Sequence, residues 1–171
     1  GSGFIAAILA QRGIPEITAT DTNPKAIACA TANLARLGLD KQVVVQAVDL
    51  FPEGRADLIV CNPPWLPAKP TSAVETALYD PDNAMLTAFL NGVRQHLNPQ
   101  GEAWLIISDL AEHLHLRDRD FLEQCFQTAS LSVTGILETK PRHRKAADES
   151  DPLAFARNRE TTRLYRLEAD R

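Results

Sequence analysis

A chain of 171 residues, 44% hydrophobic and 23% charged, has the composition of an ordinary soluble domain and is long enough to bury one core. It shows no apolar run near the ~20 residues that span a bilayer and no basic-then-apolar leader, so the expectation is a single cytoplasmic domain over residues 1–171. The formal net charge of -4 is uneven: residues 140–171 carry nine Lys/Arg against six Asp/Glu, which suggests either an anionic partner for the tail or a solvated, mixed-charge loop.

The sequence opens on Gly1-Ser2-Gly3, either a functional turn or a vector-derived remnant, and passes straight into Phe4 to Ala10, whose apolar helix formers predict a buried helix. Gly13 and Pro15 break it. Ile17 to Thr20 reads as a short strand ending at Asp21, and Asn23-Pro24 supplies an N-cap with proline at the first helical position. The helix that follows repeats Ile27, Ala30, Leu34 and Leu37 at three- and four-residue spacing and stops at Gly38.

Val43-Val44-Val45 predicts a strand closing at Asp49, and Asp57 to Cys61 another that stops at Asn62-Pro63-Pro64. A loop rich in Pro and Ser/Thr follows to about Asn83. Met85, Leu86, Phe89, Leu90, Val93 and Leu97 mark an amphipathic helix ended by Asn98-Pro99-Gln100-Gly101. Trp104 to Ile107 predicts a strand, Phe121 to Phe126 a helix face, and Val133 to Glu138 a strand. Lys140 to about Glu160 reads as a long, mobile loop, and Leu164 to Leu167 as a short last strand with one exposed face.

Strands alternating with helices imply an α/β fold, a mostly parallel sheet with helices on both faces and a ligand crevice outside the carboxyl ends of the strands. Asp21, Asp49 and Asn62 all fall at such ends. Cys29, Cys61 and Cys125 are odd in number and widely separated, so they read as core thiols, and His96, His113, His115 and His143 show no metal-ligand spacing. No metal is expected.

Gly1-Ser2-Gly3 before a helix is a turn that lets a ligand approach backbone N–H groups. Asp21, at the next strand end, can accept two hydrogen bonds from a ribose diol; its alternative is to cap the second helix, which Asn23 already fits. Asp49 can accept from the exocyclic amine of adenine while Leu50 packs on the ring, or can be an exposed loop aspartate. Asn62-Pro63-Pro64-Trp65 is the most informative segment. Two prolines lock the backbone and remove two donors, so the Asn62 amide and the Pro63 carbonyl form a pair of acceptors. They suit both hydrogens of an NH2 group on a planar system, whose lone pair then faces an electrophile while Trp65 stacks on the plane. A strand-ending turn with a chance tryptophan is the alternative.

The glycine turn, Thr20-Asp21, Val48-Asp49-Leu50-Phe51 and Asn62-Pro63-Pro64-Trp65, taken in order, resemble the class I S-adenosylmethionine-dependent methyltransferases with an (Asn/Asp)-Pro-Pro-aromatic motif. Within them the release-factor glutamine methyltransferase type and the methyltransferase small domain group, which includes ribosomal RNA guanine methyltransferases, are the nearest. The resemblance implies a Rossmann-like fold and S-adenosyl-L-methionine as cofactor. It implies that Gly1, Ser2 and Gly3 meet the methionine moiety, Asp21 the ribose, Asp49 and Leu50 the adenine, and Asn62, Pro63, Pro64 and Trp65 the target nitrogen, Asn62 also lying beside the cofactor. The acceptor would be a protein glutamine or an RNA or DNA base, with nucleic-acid or ribosomal contact through the basic 140–166 segment.

Two departures from the family pattern stand out. The acidic residue and glycine of the family's first motif are absent, so the first strand of the fold is expected to be missing from this chain. Trp65 stands where Tyr or Phe is commoner. Two rival functions fit parts of the pattern: a methyltransferase-like subunit that binds cofactor or RNA without transferring methyl groups, and an NAD(P)-dependent dehydrogenase, since Gly1 to Ala6 also fits G-x-G-x-x-A. The second leaves Asn62 to Trp65 unexplained.

Overall fold

The structure is a computed structural model that describes residues 1–68, 79–141 and 154–170. The chain forms two compact units, Gly1–Gly54 and Arg55–Arg171.

The first unit contains α1 (Phe4–Gln11), β1 (Ile17–Asp21), α2 (Pro24–Arg36) and β2 (Val43–Ala47). The two strands are parallel and pair from Ile17 with Val43 to Asp21 with Ala47. Alternate residues of a strand share a face, and here Ile17, Ala19, Val43 and Val45 form that face, packed with Ala6, Ala7 and Ala10 of α1 and Leu34 of α2. Asn23 caps α2 as expected, its Oδ1 accepting from the Lys25 N–H at 2.9 Å with Pro24 in the first turn.

The far end of α2 corrects one expectation. Leu37 is 45% exposed, because Gly38 enters the left-handed region (φ 69°) and turns the chain so that Leu39 reaches the core instead. The Leu39 N–H donates to the Leu34 carbonyl at 2.9 Å and that of Gly38 to Ala35 at 3.0 Å. This pair of bonds satisfies two carbonyls that the helix end would otherwise orphan.

The second unit contains β3 (Ala56–Cys61), a 3-10 turn at Pro81–Asn83, α3 (Ala84–His96), β4 (Leu97–Ser108), α4 (Leu110–His113), α5 (Phe121–Thr128), β5 (Leu131–Thr139), α6 (Ala154–Arg157) and β6 (Thr162–Ala169). Its strand order is β3-β4-β6-β5. The expected α/β architecture is present with a mixed sheet: β3 and β4 run parallel, and β6 returns antiparallel to both β4 and β5. The last strand is thus eight residues long and internal, not short with one exposed face. β4 starts directly after α3, and the Asn98 to Gly101 break is absorbed as an irregularity in its pairing with β3, with Gln100 at φ 70°.

Leu86, Phe89, Leu90 and Val93 of α3 are each at most 3% exposed, and the alternate residues Ala103, Leu105 and Ile107 of β4 are buried to the same degree. Phe126 of α5 meets Tyr165 of β6 with ring centroids 5.4 Å apart. Of the two segments expected as loops, residues 69–78 and 142–153 lie outside the described residues. The described remainder includes the 3-10 turn and the short helix α6. Cys29 is exposed, contrary to its reading as a core thiol, whereas Cys61 is buried. Among the described residues no helix is long and apolar enough to cross a membrane, and no cluster of His, Cys, Asp and Glu could hold a metal ion.

Candidate active site

The candidate residues fall into two groups, one in each unit. In the first unit, Gly1, Asp21 and Leu50 come together at the carboxyl ends of β1 and β2. Gly3 adopts φ 78° immediately before α1, and a Cβ there would lie 3.2 Å from the Ala30 Cβ and 3.5 Å from Leu34 Cδ1. Glycine is therefore required for the close approach of α1 to α2 as well as for the turn. Space is open around Gly1. The Ser2 carbonyl accepts from Asn33 Nδ2 at 3.1 Å, which ties the turn to α2.

One oxygen of Asp21 takes the Gly1 amine, and the other accepts from the Asn23 N–H at 2.8 Å. Asp21 thus closes the turn into α2 and lies beside the glycine turn.

Asp49 is exposed and begins a tight turn in which the Phe51 N–H donates to the Asp49 carbonyl at 2.8 Å across Leu50. Leu50 has φ 56°, a conformation that costs a non-glycine residue about 1–3 kcal/mol and persists where the surroundings impose it. The imposing contact is the Thr20 hydroxyl, which donates to the Leu50 carbonyl at 2.9 Å and binds the strand end bearing Asp21 to the turn bearing Asp49.

In the second unit, Asn62 to Trp65 follow the last residue of β3. Asn62 is exposed, Pro63 buried, and Pro64 and Trp65 half-buried. The Trp65 indole N–H donates to Asn62 Oδ1 at 3.0 Å. That bond fixes which end of the carboxamide is oxygen and leaves one lone pair on it for another donor.

Sequence reasoning missed what supports this motif. Asp80, 3% exposed, receives the Met85 and Leu86 N–H groups at 2.8 and 2.9 Å on its two oxygens and so caps α3. Its own N–H donates to the Leu66 carbonyl at 2.8 Å. Arg117, 5% exposed, donates to Asn83 Oδ1 and to the Trp65 carbonyl. Asp80 and Asn83 flank a Pro-Asp pair that reads only as a turn, and Arg117 stands in the run Arg117-Asp118-Arg119-Asp120, which reads as solvated surface.

Burial, then the charge of Asp80, pushes the Cys61 thiol up to about 12. At pH 8 Cys61 should therefore alkylate roughly a thousand-fold more slowly than an ordinary exposed thiol, since the thiolate is the nucleophile. Mass spectrometry after a short iodoacetamide pulse checks this, with Cys29 modified first. Equal labelling of both sites in the folded chain would contradict the assigned burial.

Of the basic segment, Arg163 lies 3.2 Å from Asp109 and 2.6 Å from Glu138, and Arg166 pairs with Glu102. Lys140 Nζ donates to the Arg159 carbonyl and the Thr161 hydroxyl, each at 3.1 Å. These described side chains are engaged within the fold.

The chain belongs to the methyltransferase small domain family, whose model matches residues 1–135. The release factor glutamine methyltransferase of Cereibacter sphaeroides is 35% identical to it over 122 residues, covering 63% of this chain and 44% of that protein. The ribosomal RNA small subunit methyltransferase C of Erwinia tasmaniensis is 32% identical over 71% of this chain and 33% of its own length. The tRNA1(Val) (adenine(37)-N6)-methyltransferase of Cytophaga hutchinsonii is 29% identical over 63% of this chain and 48% of its own. The chain thus spans less than half the length of these relatives. Among solved structures, the ribosomal protein L11 methylase of Lactobacillus delbrueckii subsp. bulgaricus superposes with a TM-score of 0.64 at 19% identity, over 100% of this chain and 66% of that one. A SAM-dependent methyltransferase of Thiobacillus denitrificans with S-adenosyl-L-homocysteine gives 0.63 at 16% identity, over 99% and 82% of the two chains. These likenesses show the fold.

Proposed function

We propose that this chain is the catalytic part of an S-adenosylmethionine-dependent N-methyltransferase acting on a planar NH2 group. The observation that carries the reading is the Asn62-Pro63-Pro64-Trp65 segment at the carboxyl end of β3, with the Asn62 oxygen oriented by the Trp65 indole. Membership of the methyltransferase small domain family supports it.

The residues of the first unit fit the cofactor. The glycine turn before α1 allows a ligand close to backbone N–H donors, the Asp21 carboxylate at the end of β1 suits a diol, and the Leu50 turn offers an apolar side chain next to the exposed Asp49. S-adenosylmethionine, when bound, supplies an electrophilic methyl group on a sulfonium. On the acceptor side, Asn62 Oδ1 and the Pro63 carbonyl accept the two N–H bonds of the target, which leaves its lone pair free to attack an electrophile. Trp65 stacks on the planar system, and no strong general base is needed, because the N–H becomes acidic as the nitrogen–carbon bond forms and the carbon–sulfur bond breaks, and its proton then passes to water. Holding the reactants in line is the main source of acceleration.

The relatives' names describe a glutamine of a release factor, ribosomal RNA and a tRNA adenine as acceptors. Glutamine and adenine each present an NH2 on an sp2 carbon, so the same four residues suit both. Incubation of the enzyme with methyl-labelled cofactor and cell extract decides between them. Label that survives ribonuclease and is lost to protease assigns a protein glutamine, and the reverse assigns a base. Tight cofactor binding with no label transferred to any fraction would overturn catalysis in favour of a non-catalytic subunit, and binding of NAD in place of S-adenosylmethionine would overturn the reading altogether.

A further inference from the structure

Arg117, between α4 and α5, is buried, yet its charge is not spent on a forked ion pair. Its Nε and Nη2 donate to Asn83 Oδ1 at 2.9 and 2.7 Å, and Nη2 also donates to the Trp65 carbonyl at 3.0 Å. The carboxylate that balances it, Glu112, stands 3.6 Å from Nη1, beyond hydrogen-bond reach, and Nη1 has no hydrogen-bond partner. The Phe121 ring lies 5.8 Å beneath the guanidinium carbon. Glu112 thus neutralises the charge, while the directional bonds go to two neutral acceptors that stand at either end of the 66–83 connection. A guanidinium placed only to stabilise the fold through an ion pair would turn its planar fork on the carboxylate, the stronger acceptor.

We propose that Arg117 is a positioning residue for the acceptor motif. Pro63 and Pro64 fix φ at two of the four motif residues. The torsions of Trp65 are not fixed in this way, and they decide where the indole points. Arg117 fixes the Trp65 carbonyl against Asn83, the indole N–H then reaches Asn62 Oδ1, and the carboxamide oxygen is aimed. The chain of contacts runs from Asn83 through Arg117 and Trp65 to Asn62, entirely within the second unit. Lysine does not replace this, since a compact ammonium lacks the planar fork that serves both acceptors. The proposal rests on the methyltransferase reading for its effect on turnover, but its structural content does not.

The chain has two tryptophans, so a Trp104→Phe background leaves Trp65 as the sole indole reporter. In that background Arg117→Lys and Asn83→Gly are compared with their parent. The glycine tolerates the φ of 55° at position 83 and keeps the arginine charge while removing its anchor. The expected result is a cooperative melt for both, a shift in Trp65 emission with about two-fold or greater change in acrylamide quenching, and turnover lowered about ten-fold or more at nearly constant S-adenosylmethionine affinity. Unchanged Trp65 emission and quenching in a variant that melts cooperatively overturns the proposal, as does loss of the fold in both variants. A parent that shows no methyl transfer while Trp65 responds as expected sinks the methyltransferase reading and leaves the positioning intact.

Discussion

Replacing Asn62 with alanine is expected to lower methyl-transfer turnover on the order of 100-fold, the usual cost of losing one preorganised hydrogen bond at a reacting centre. The side chain is exposed, so its truncation opens no cavity in the core. It removes the partner of the Trp65 indole and, on the proposed reading, an acceptor for the target NH2, so both orienting contacts go together. Asn62→Asp keeps the acceptor oxygens and should lose less. Cofactor affinity should stay within about two-fold, because a residue that acts on the acceptor changes turnover rather than cofactor binding. Single-turnover transfer and isothermal titration measure the two quantities separately. A loss of cofactor affinity as large as the loss of turnover would place Asn62 in the cofactor site and contradict its assigned role.

Gly3→Val is expected to destabilise the chain by about 3 kcal/mol or more. The left-handed region costs a residue with a Cβ about 1–2 kcal/mol, and a β-branched side chain fits it worse. The added atom also meets Ala30 Cβ at 3.2 Å, so α2 must give by a few tenths of an ångström. Against a total stability of roughly 5–15 kcal/mol this is large, and the melting midpoint should fall by roughly 10 °C. Gly13→Ala is the control: Gly13 has φ 91° and open space around it, so only the backbone cost appears there. If Gly3→Ala and Gly13→Ala melt alike, the packing role of Gly3 is wrong and its glycine answers to the ligand alone.

Local chemistry made much of this fold readable. Asn23-Pro24 marks the start of α2, and short β-branched runs mark β2 and β3, since caps and buried strands are written in adjacent residues. The position of β6 is not written that way. Whether a strand lies inside or at the edge of a sheet depends on which distant segments reach it, and the arginines and glutamate mixed among the apolar residues from Arg163 to Glu168 read as a surface strand does. The site divides similarly. Asp21, Asp49 and Asn62 stand out because strand ends collect polar groups. Arg117 is hidden, because its partners are a backbone carbonyl 52 residues away and a side chain 34 residues away, and only the folded chain joins them.

The internal place of β6 has a consequence for how the protein is made. β4 and β5 are both synthesised before the strand that separates them, and among the described residues β5 pairs with β6 alone. At roughly 5–20 residues per second, about one to five seconds pass on the ribosome between completion of β5 at Thr139 and arrival of Thr162. Throughout that interval the edges of β4 and β5 that β6 will cover stand open, so the nascent chain is most vulnerable to mispairing with its neighbours on a polysome just before its own last strand emerges.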